Sequence, residues 1–194
     1  MDREGNEMSV WELAALDWIQ LHLQSGMGDM IMPLITKLGN GGAVWLALAV
    51  LLLLWPKTRK LGLAMGLGLA LEVLCCNVVL KPLVARVRPC DLNPEVRLLI
   101  PRPEDFSFPS GHTASSFAAV SALYFGKSRL WAPAGVLAAA IAFSRLYLYV
   151  HFPSDVLAGA LIGSMAGWAG VMTCRLLADR HGPRPAGISK GGAV

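Results

Sequence analysis

Long apolar blocks separated by short polar segments predict that most of this chain is helix inside a membrane. Residues 61–80 contain one charged side chain, Glu72, and the blocks at residues 130–150 and 154–177 are of similar length. At about 1.5 Å per residue, a helix of about 20 residues spans roughly 30 Å, the thickness of a hydrocarbon core. Each of these three blocks is therefore predicted to cross the bilayer.

Two shorter apolar blocks complete the predicted bundle. Residues 43–55 extend back through residues 27–38 across a glycine-rich break at 39–42, and residues 113–125 become long enough when residues 110–112 are added. A bilayer accepts such segments only when the backbone hydrogen bonds are satisfied within a helix. We therefore predict an all-α integral-membrane helix bundle with five transmembrane helices.

Residues 11–23 are predicted to form a further, shorter helix. Its apolar side chains fall roughly on one side, as in a helix that lies at the membrane interface; they are Trp11, Leu13, Leu16, Ile19 and Leu23. If this helix also spans the membrane, the bundle has six transmembrane helices. The predicted organisation is an N-terminal segment (1–26), a membrane domain (27–177) and a basic, disordered cytoplasmic tail (178–194).

Small residues recur every four positions in two of the predicted spans. The two rows are Gly62, Gly66 and Ala70, and Gly159, Gly163 and Gly167. Small side chains at this spacing allow helices to approach closely in lipid. The pattern predicts close helix packing along both spans.

The composition agrees with a membrane protein. The chain is 55% hydrophobic and 15% charged, whereas a soluble domain carries about 25% charged residues. The net charge of +4 does not indicate nucleic-acid binding, because the basic residues lie at the ends of apolar blocks and are not mixed with aromatic ones. The four cysteines show neither a disulfide framework nor metal-ligand spacing.

The basic residues of the short loops predict the orientation. Those at residues 57–60 and 127–129 and in the tail after residue 174 emerge on one side of a five-span bundle. Cytoplasmic loops carry such an excess of lysine and arginine. The loop at residues 81–109 and the turn around His151 are therefore predicted to face outward.

Three polar segments lie at the outward ends of the predicted helices and bring three cations and two histidines to one membrane level. Their chemically interesting residues are Lys81, Arg88, Ser110, Gly111, His112, Arg145, His151 and Asp155. A phosphate ester accounts for this convergence, because the cations neutralise its oxygens and the arginines offer two-pronged contacts. Ser110 and Gly111 add the free backbone N–H groups of a helix start. No metal or other cofactor is predicted, since the three cations supply the charge.

The two histidines are predicted to divide the proton transfers. His151, with Asp155 four residues later, has the pattern of a nucleophile and the partner that orients it. His112 would protonate the leaving oxygen as a general acid. The expected intermediate is a phosphohistidine, which water hydrolyses with His112 acting as base.

Other polar residues are given different interpretations. Arg86 is interpreted as an interfacial charge, and Arg97 and Arg102 as partners of the acids in their own loop. Glu72 is an acid inside a span, which is costly unless it has a role. Both a buried hydrogen-bonding role and a contact with substrate remain open for it.

The spacing resembles the three-part signature of the type 2 phosphatidic acid phosphatase superfamily over residues 61–177. The matching residues are Lys81-(six residues)-Arg88-Pro89, Pro109-Ser110-Gly111-His112 and Ser144-Arg145-(five residues)-His151-(three residues)-Asp155. The resemblance implies that Lys81, Arg88, Ser110, Gly111 and Arg145 bind phosphate, that His151 is the nucleophile with Asp155 as its partner, and that His112 is the acid. It also implies a multi-pass protein of a bacterial cell (inner) membrane.

A lipid phosphatase or pyrophosphatase is the leading hypothesis, because a pocket formed by span ends suits a substrate whose tail stays in the bilayer. Undecaprenyl pyrophosphate is the preferred substrate, and phosphatidylglycerophosphate, phosphatidic acid and diacylglycerol pyrophosphate are the alternatives. A vanadium-dependent haloperoxidase is disfavoured because the chain lacks a large soluble scaffold. An inactive lipid-binding scaffold is disfavoured because every catalytic position is filled. The predicted partners are a membrane lipid and the bilayer, with the oligomeric state left open.

Overall fold

The computed structural model describes residues 3–181, and within that range every regular element is a helix. The helices are α1 (Arg3–Leu23), α2 (Gly26–Leu38), α3 (Ala43–Leu54), α4 (Arg59–Val73), α5 (Lys81–Val84), α6 (Pro89–Leu92), α7 (Gly111–Phe125), α8 (Trp131–Tyr147) and α9 (Pro153–His181). A 3₁₀ turn, Asn40–Gly42, joins α2 to α3, and a π-helical segment, Leu74–Leu80, joins α4 to α5. The predicted all-α class is confirmed for these residues.

Three parts of the chain are long and apolar enough to cross a membrane. They are Arg59–Leu92, with 34 residues, Pro153–Asp179, with 27 residues, and the pair α2 and α3, which meet at a bend of 45°. The bend coincides with the predicted glycine-rich break. There Gly41 and Gly42 have positive φ angles of 57° and 67°, which glycine adopts at no steric cost. Because α7 and α8 are shorter, the count of five to six spans stays a prediction.

The central helix α7 packs against α4, α8 and α9. This close packing is possible because its inward side chains are small and completely buried: Ala114, Ala118, Ala119 and Ala122. A Cβ atom added at Gly159, Gly163 or Gly167 of α9 would overlap a carbonyl group of residues 110–118. The predicted row of small residues on α9 is therefore confirmed as a packing surface.

The predicted row of small residues on α4 is wrong in part. Gly62 packs against the backbone of α3, but a Cβ atom at Gly66 would meet nothing within 4 Å, and Ala70 is exposed. The glycine of α4 that packs against α9 is Gly68, where an added Cβ atom would lie 2.9 Å from Cα of Gly167. The positions of the neighbouring helices, and not the four-residue spacing alone, decide which glycines of α4 pack.

Helix α1 covers the end of the bundle at which α8 connects to α9. Leu16 and Ile19 are buried there, and the Tyr149 hydroxyl donates a hydrogen bond to the Asp17 carboxylate at 2.7 Å. Trp11 is 79% exposed, in contrast to Leu16 and Ile19. The interfacial position of α1 stays a prediction.

Helix α9 continues to His181, beyond the predicted domain boundary at residue 177. The remainder of the predicted disordered tail, residues 182–194, lies outside the described residues. The division of the chain at residues 26 and 177 stays a prediction.

Candidate active site

A cavity of about 340 Å³ opens where the α4–α6 stretch meets the start of α7, the end of α8 and the turn between α8 and α9. Six of the eight predicted site residues line it: Lys81, Arg88, Gly111, His112, Arg145 and His151. Thr36, Lys37, Asn40 and Asp105 also line it, and none of these was predicted. The structure therefore brings together most of the residues that the sequence pattern singled out.

His151 lies in a tight turn between α8 and α9. The chain reverses through Tyr149, which has a positive φ of 58°, and α9 then begins at Pro153, a residue suited to the first position of a helix. His151 is only 1% exposed. Its Nε2 atom lies 3.2 Å from Nη1 of Arg88, and its Nδ1 atom lies 3.5 Å from Oδ2 of Asp155.

These contacts indicate which nitrogen of His151 carries the proton. Arg88 can only donate, so Nε2 accepts its N–H and holds the lone pair, while the Nδ1 proton points to the carboxylate of Asp155. Burial, together with the charges of Arg88 and Arg145, lowers the pKa of His151 to about 3 despite the opposing effect of Asp155. The ring is therefore neutral at neutral pH, as a nitrogen nucleophile must be.

Two buried arginines flank this imidazole. Arg88 is held in place by hydrogen bonds to the carbonyl oxygens of Val150, at 2.6 Å, and Asp105, at 2.8 Å. Arg145 donates from Nη1 to the Thr36 hydroxyl at 2.5 Å, but its buried Nε has no partner among the described residues. An unpaired buried donor costs about 1–3 kcal/mol. An anionic oxygen bound beside Arg145 would offset that cost.

Asp105 occupies a position between two of the cations. Its carboxylate forms ion pairs with Lys81 and with Arg88, the latter at 2.7 Å. Burial alone would raise the pKa of Asp105, but the hydrogen bond from Lys81 and the two positive charges outweigh it and lower the pKa to about 2. Asp105 therefore pairs with neither Arg97 nor Arg102, the two arginines for which pairing with the acids of the loop was predicted. That prediction is confirmed for Arg102 and Asp91, which lie 2.5 Å apart.

The start of α7 contributes Gly111 to the cavity but not Ser110. A Cβ atom at Gly111 would lie 3.2 Å from Oδ1 of Asn77, so glycine keeps this approach open. Ser110 is completely buried: its N–H donates to the Asp155 carbonyl at 3.1 Å, and its hydroxyl accepts from Thr113 at 3.0 Å. Ser110 thus ties α7 to α9 behind the cavity, and its contact with phosphate stays a prediction.

His112 is positioned by the turn between α2 and α3. Its Nε2 lies 2.8 Å from Oδ1 of Asn40, so in the neutral ring this nitrogen carries the proton and donates it to the amide oxygen. Gly39 leaves room for the ring, since a Cβ atom there would lie 2.9 Å from Cδ2 of His112. The glycine-rich break, predicted only as the interruption of a span, therefore helps to place the second histidine.

The interpretation of Arg86 as an interfacial charge is wrong. Its Nη1 donates to Oδ1 of Asp155 at 2.6 Å, and its Nη2 forms an ion pair with Glu12 of α1. No local sequence pattern indicates the second contact, because Glu12 and Arg86 are 74 positions apart. The buried partner of the proposed nucleophile is therefore paired with a cation.

Glu72, the acid inside α4, is not among the residues that line the cavity. It is 2% exposed, and its Oε2 atom has no hydrogen-bond partner among the described residues. The structure therefore does not support a contact between Glu72 and a substrate bound in this cavity.

The sequence matches the PAP2 superfamily over residues 57–177, which include all eight predicted site residues. The chain is 33% identical over 142 residues to the undecaprenyl-diphosphatase of Sulfolobus acidocaldarius, an alignment that covers 73% of this chain and 68% of that protein.

Two crystal structures share the fold. Aquifex aeolicus LpxE has a TM-score of 0.71 at 29% identity, with 84% of this chain and 95% of that chain covered. The transmembrane PAP2-type phosphatidylglycerolphosphate phosphatase from Bacillus subtilis also has a TM-score of 0.71, at 28% identity, with 91% and 89% covered. The chain therefore belongs to the PAP2 superfamily and is a membrane phosphatase.

Proposed function

We propose that this enzyme hydrolyses a phosphomonoester or diphosphate of a membrane lipid through a phosphohistidine intermediate on His151. The observation that carries the proposal is the geometry of one cavity, in which Nε2 of His151 accepts from Arg88 and the predicted phosphate ligands Lys81 and Arg145 also line the walls. An uncharged nitrogen nucleophile can approach a phosphate only if the negative charge of its oxygens is offset, and fixed cations do this without rearrangement.

In the first step, Nε2 of His151 attacks phosphorus and the bond to the leaving oxygen breaks. His112 enters this step as the imidazolium and gives a proton to that oxygen, so His112 becomes neutral and the lipid leaves as an alcohol or as a lipid monophosphate. The phosphorylated imidazole is positively charged, and the Asp155 carboxylate beside Nδ1 stabilises that charge. Arg88 and Arg145 hold the phosphoryl oxygens throughout.

In the second step, water attacks the phosphohistidine. His112, now neutral, takes a proton from the water as its oxygen bonds to phosphorus, and the phosphorus–Nε2 bond breaks. Inorganic phosphate leaves and His151 is neutral again. In this proposal the cations carry the charge neutralisation.

Undecaprenyl diphosphate is the substrate we favour. The support is the name of the relative from Sulfolobus acidocaldarius, an undecaprenyl-diphosphatase, which aligns over most of both chains. The structural neighbour from Bacillus subtilis, named a phosphatidylglycerolphosphate phosphatase, supports the alternative of a phosphorylated glycerolipid. Phosphatidic acid and diacylglycerol pyrophosphate remain alternatives of the same chemical class.

Phosphate release from a panel of lipids tests the proposal. Detergent-purified enzyme should release phosphate fastest from undecaprenyl diphosphate, more slowly from phosphatidylglycerophosphate and phosphatidic acid, and should be inhibited by vanadate. A higher kcat/KM for a glycerolipid than for undecaprenyl diphosphate would identify that glycerolipid as the substrate. Absence of release from every lipid, together with vanadate-dependent halide oxidation, would replace the proposal by a haloperoxidase.

The position of Asp105 leads to a prediction about anion affinity. Its carboxylate pairs with two cations that the proposal assigns to phosphate, so a bound phosphate has to displace it. Each pair is partly exposed and worth about 0.2–1 kcal/mol. Asp105→Asn should therefore lower the inhibition constant of vanadate about two- to thirtyfold. A higher inhibition constant would mean that Asp105 serves to orient the cations instead.

The membrane arrangement we propose has five spans: the bent α2–α3 pair, the α4–α6 stretch, α7, α8 and α9. Helix α1 lies at the interface on the side of the active site, and that side faces away from the cytoplasm. The support is the excess of lysine and arginine in the loops at the other end of the bundle. The proposed location is the bacterial cell membrane.

A cysteine placed in each set of loops tests this orientation. Glu95→Cys should react with a membrane-impermeant maleimide in intact cells, whereas Arg129→Cys should react only after the cells are permeabilised. The unsubstituted protein gives the background from its four native cysteines. The reverse pattern would place the active site in the cytoplasm.

A further inference from the structure

Arg86 contacts the residue behind the nucleophile rather than the cavity itself. It follows Ala85, whose positive φ of 48° turns the chain away from the axis of α5. Its Nη1 donates to Oδ1 of Asp155 at 2.6 Å and to the Ser154 hydroxyl at 2.7 Å. Its guanidinium carbon lies 3.9 Å from the centre of the Phe152 ring. The side chain is thus held from three directions and is not among the residues that line the cavity.

The two carboxylate oxygens of Asp155 have separate partners. Oδ1 accepts from Arg86, whereas Oδ2 accepts from the Ser107 hydroxyl at 2.5 Å and the Phe152 N–H at 2.9 Å, and it faces Nδ1 of His151 at 3.5 Å. Asp155 is completely buried. The hydrogen bond from Arg86 therefore fixes the carboxylate at the oxygen opposite the one that faces His151, and it satisfies a buried acceptor that would otherwise be unpaired.

Arg86 is in turn fixed by a residue of α1. The Glu12 carboxylate pairs with Nη2 of Arg86 through Oε2, and its Oε1 accepts the Ser154 N–H at 2.8 Å. Glu12 is 8% exposed. A carboxylate on α1, a guanidinium after α5 and a carboxylate on α9 therefore form one chain of contacts that ends at the His151 ring.

From this geometry we propose that Arg86 is a positioning residue for the nucleophile, and that Glu12 of α1 holds Arg86 in place. The inference rests on the proposed function, since it assigns how His151 is oriented for attack. Glu12 and Arg86 touch neither substrate nor phosphate. Their effect is on the direction of the Nε2 lone pair, which depends on where the Asp155 carboxylate holds Nδ1.

Loss of a positioning residue should lower kcat and leave the affinity for anions nearly unchanged. Arg86→Gln should lower kcat for phosphate release about 10- to 100-fold, the usual effect of losing a residue that orients another. KM and the inhibition constant of vanadate should change less than about threefold, because Lys81, Arg88 and Arg145 are untouched. A general loosening of the site would raise both constants along with the loss of kcat.

A conservative variant and a double variant sharpen the test. Arg86→Lys keeps the charge but loses the two-pronged contact, and should retain more activity than Arg86→Gln. Glu12→Gln should reduce kcat about threefold to tenfold. If both residues act through one path, the Glu12→Gln/Arg86→Gln double variant should be no slower than Arg86→Gln alone.

Asp17→Asn is the matched control for α1. Asp17 anchors the same helix through Tyr149 and has no contact with Arg86 or Asp155, so its loss should leave kcat unchanged. Equal losses for Asp17→Asn and Glu12→Gln would show that α1 acts only as a packing element and would overturn the role of Glu12. Arg97→Gln, at an exposed position of the loop after α6, controls for the loss of an arginine charge.

The wild-type enzyme, assayed in parallel, distinguishes a failure of the positioning role from a failure of the proposed function. If it releases phosphate and Arg86→Gln is equally fast, the positioning role is refuted while the proposed function stands. If it releases no phosphate from any lipid, both are refuted. Circular dichroism and thermal unfolding of each variant identify any loss due to misfolding. If Arg86→Gln misfolds, Arg86→Lys decides: a folded lysine variant whose KM and vanadate inhibition constant rise as much as its kcat falls would refute the positioning role.

Discussion

Replacing His151 by alanine is expected to lower kcat for phosphate release by at least about a thousandfold. The reason is that Nε2 supplies the neutral lone pair within the cationic cavity, and the hydrogen bond from Arg88 already marks that nitrogen as an acceptor. The measurement is phosphate release from the best lipid of the panel. A second measurement traps the intermediate, with ³²P-labelled substrate quenched in alkali.

The alanine variant also removes a partner from Arg88 and from Asp155, so stability has to be measured alongside activity. His151→Gln keeps a polar side chain of similar reach but no imidazole, and it should be equally inactive. His22→Ala is the matched control, because that histidine is exposed and contacts only its own helix at Trp18. Acid-labile phosphate bound to the His151→Ala protein would mean that another residue is the nucleophile.

The placement of the cavity could be predicted from the sequence because helix ends carry the polar residues. In a bilayer, the apolar length of a span sets where its ends lie, so Lys81, Arg88, His112, Arg145 and His151 reach one level. The structure places all five in one cavity. The glycine-rich break at residues 39–42 was likewise visible, because glycine accepts the backbone conformation of the 45° bend.

The pairings behind the cavity could not be predicted, because they depend on how distant elements approach one another. The loop at residues 81–109 contains four acidic residues, and the local sequence does not indicate that Asp105 is the acid that pairs with Lys81 and Arg88. Arg86 pairs with Glu12, which the apolar pattern of α1 did not single out. The same limit explains the wrong prediction for Gly66, since the packing face of α4 is decided by α3 and α9.

The pairings change the electrostatic description of the site. Counting only cations, the sequence indicates a strongly positive pocket. In the structure, Lys81 and Arg88 share Asp105, whereas Arg145 forms no ion pair and its buried Nε has no hydrogen-bond partner among the described residues. Of these three cations, we therefore expect Arg145 to contribute most to the affinity for phosphate, because it gives up no ion pair when the anion binds.

Replacing His112 by alanine is expected to slow the first step by an amount that depends on the leaving group. A general acid contributes about 10²–10⁴-fold when the leaving oxygen needs a proton. Release of a lipid alcohol from phosphatidic acid should therefore be slowed by that factor. A nitrophenolate leaves without a proton, so phosphorylation of His151 by p-nitrophenyl phosphate should be slowed less than about tenfold.

Steady-state rates alone would hide this difference, because His112 also serves as the base in the second step. With p-nitrophenyl phosphate, the His112→Ala enzyme should instead show a fast burst of nitrophenol equal to the enzyme concentration, followed by slow turnover as the phosphohistidine persists. Stopped-flow absorbance measures both phases, and wild-type enzyme and His22→Ala give the reference rates. Equal losses in the first step for both leaving groups would remove the acid role from His112 and leave it as a phosphate ligand held by Asn40.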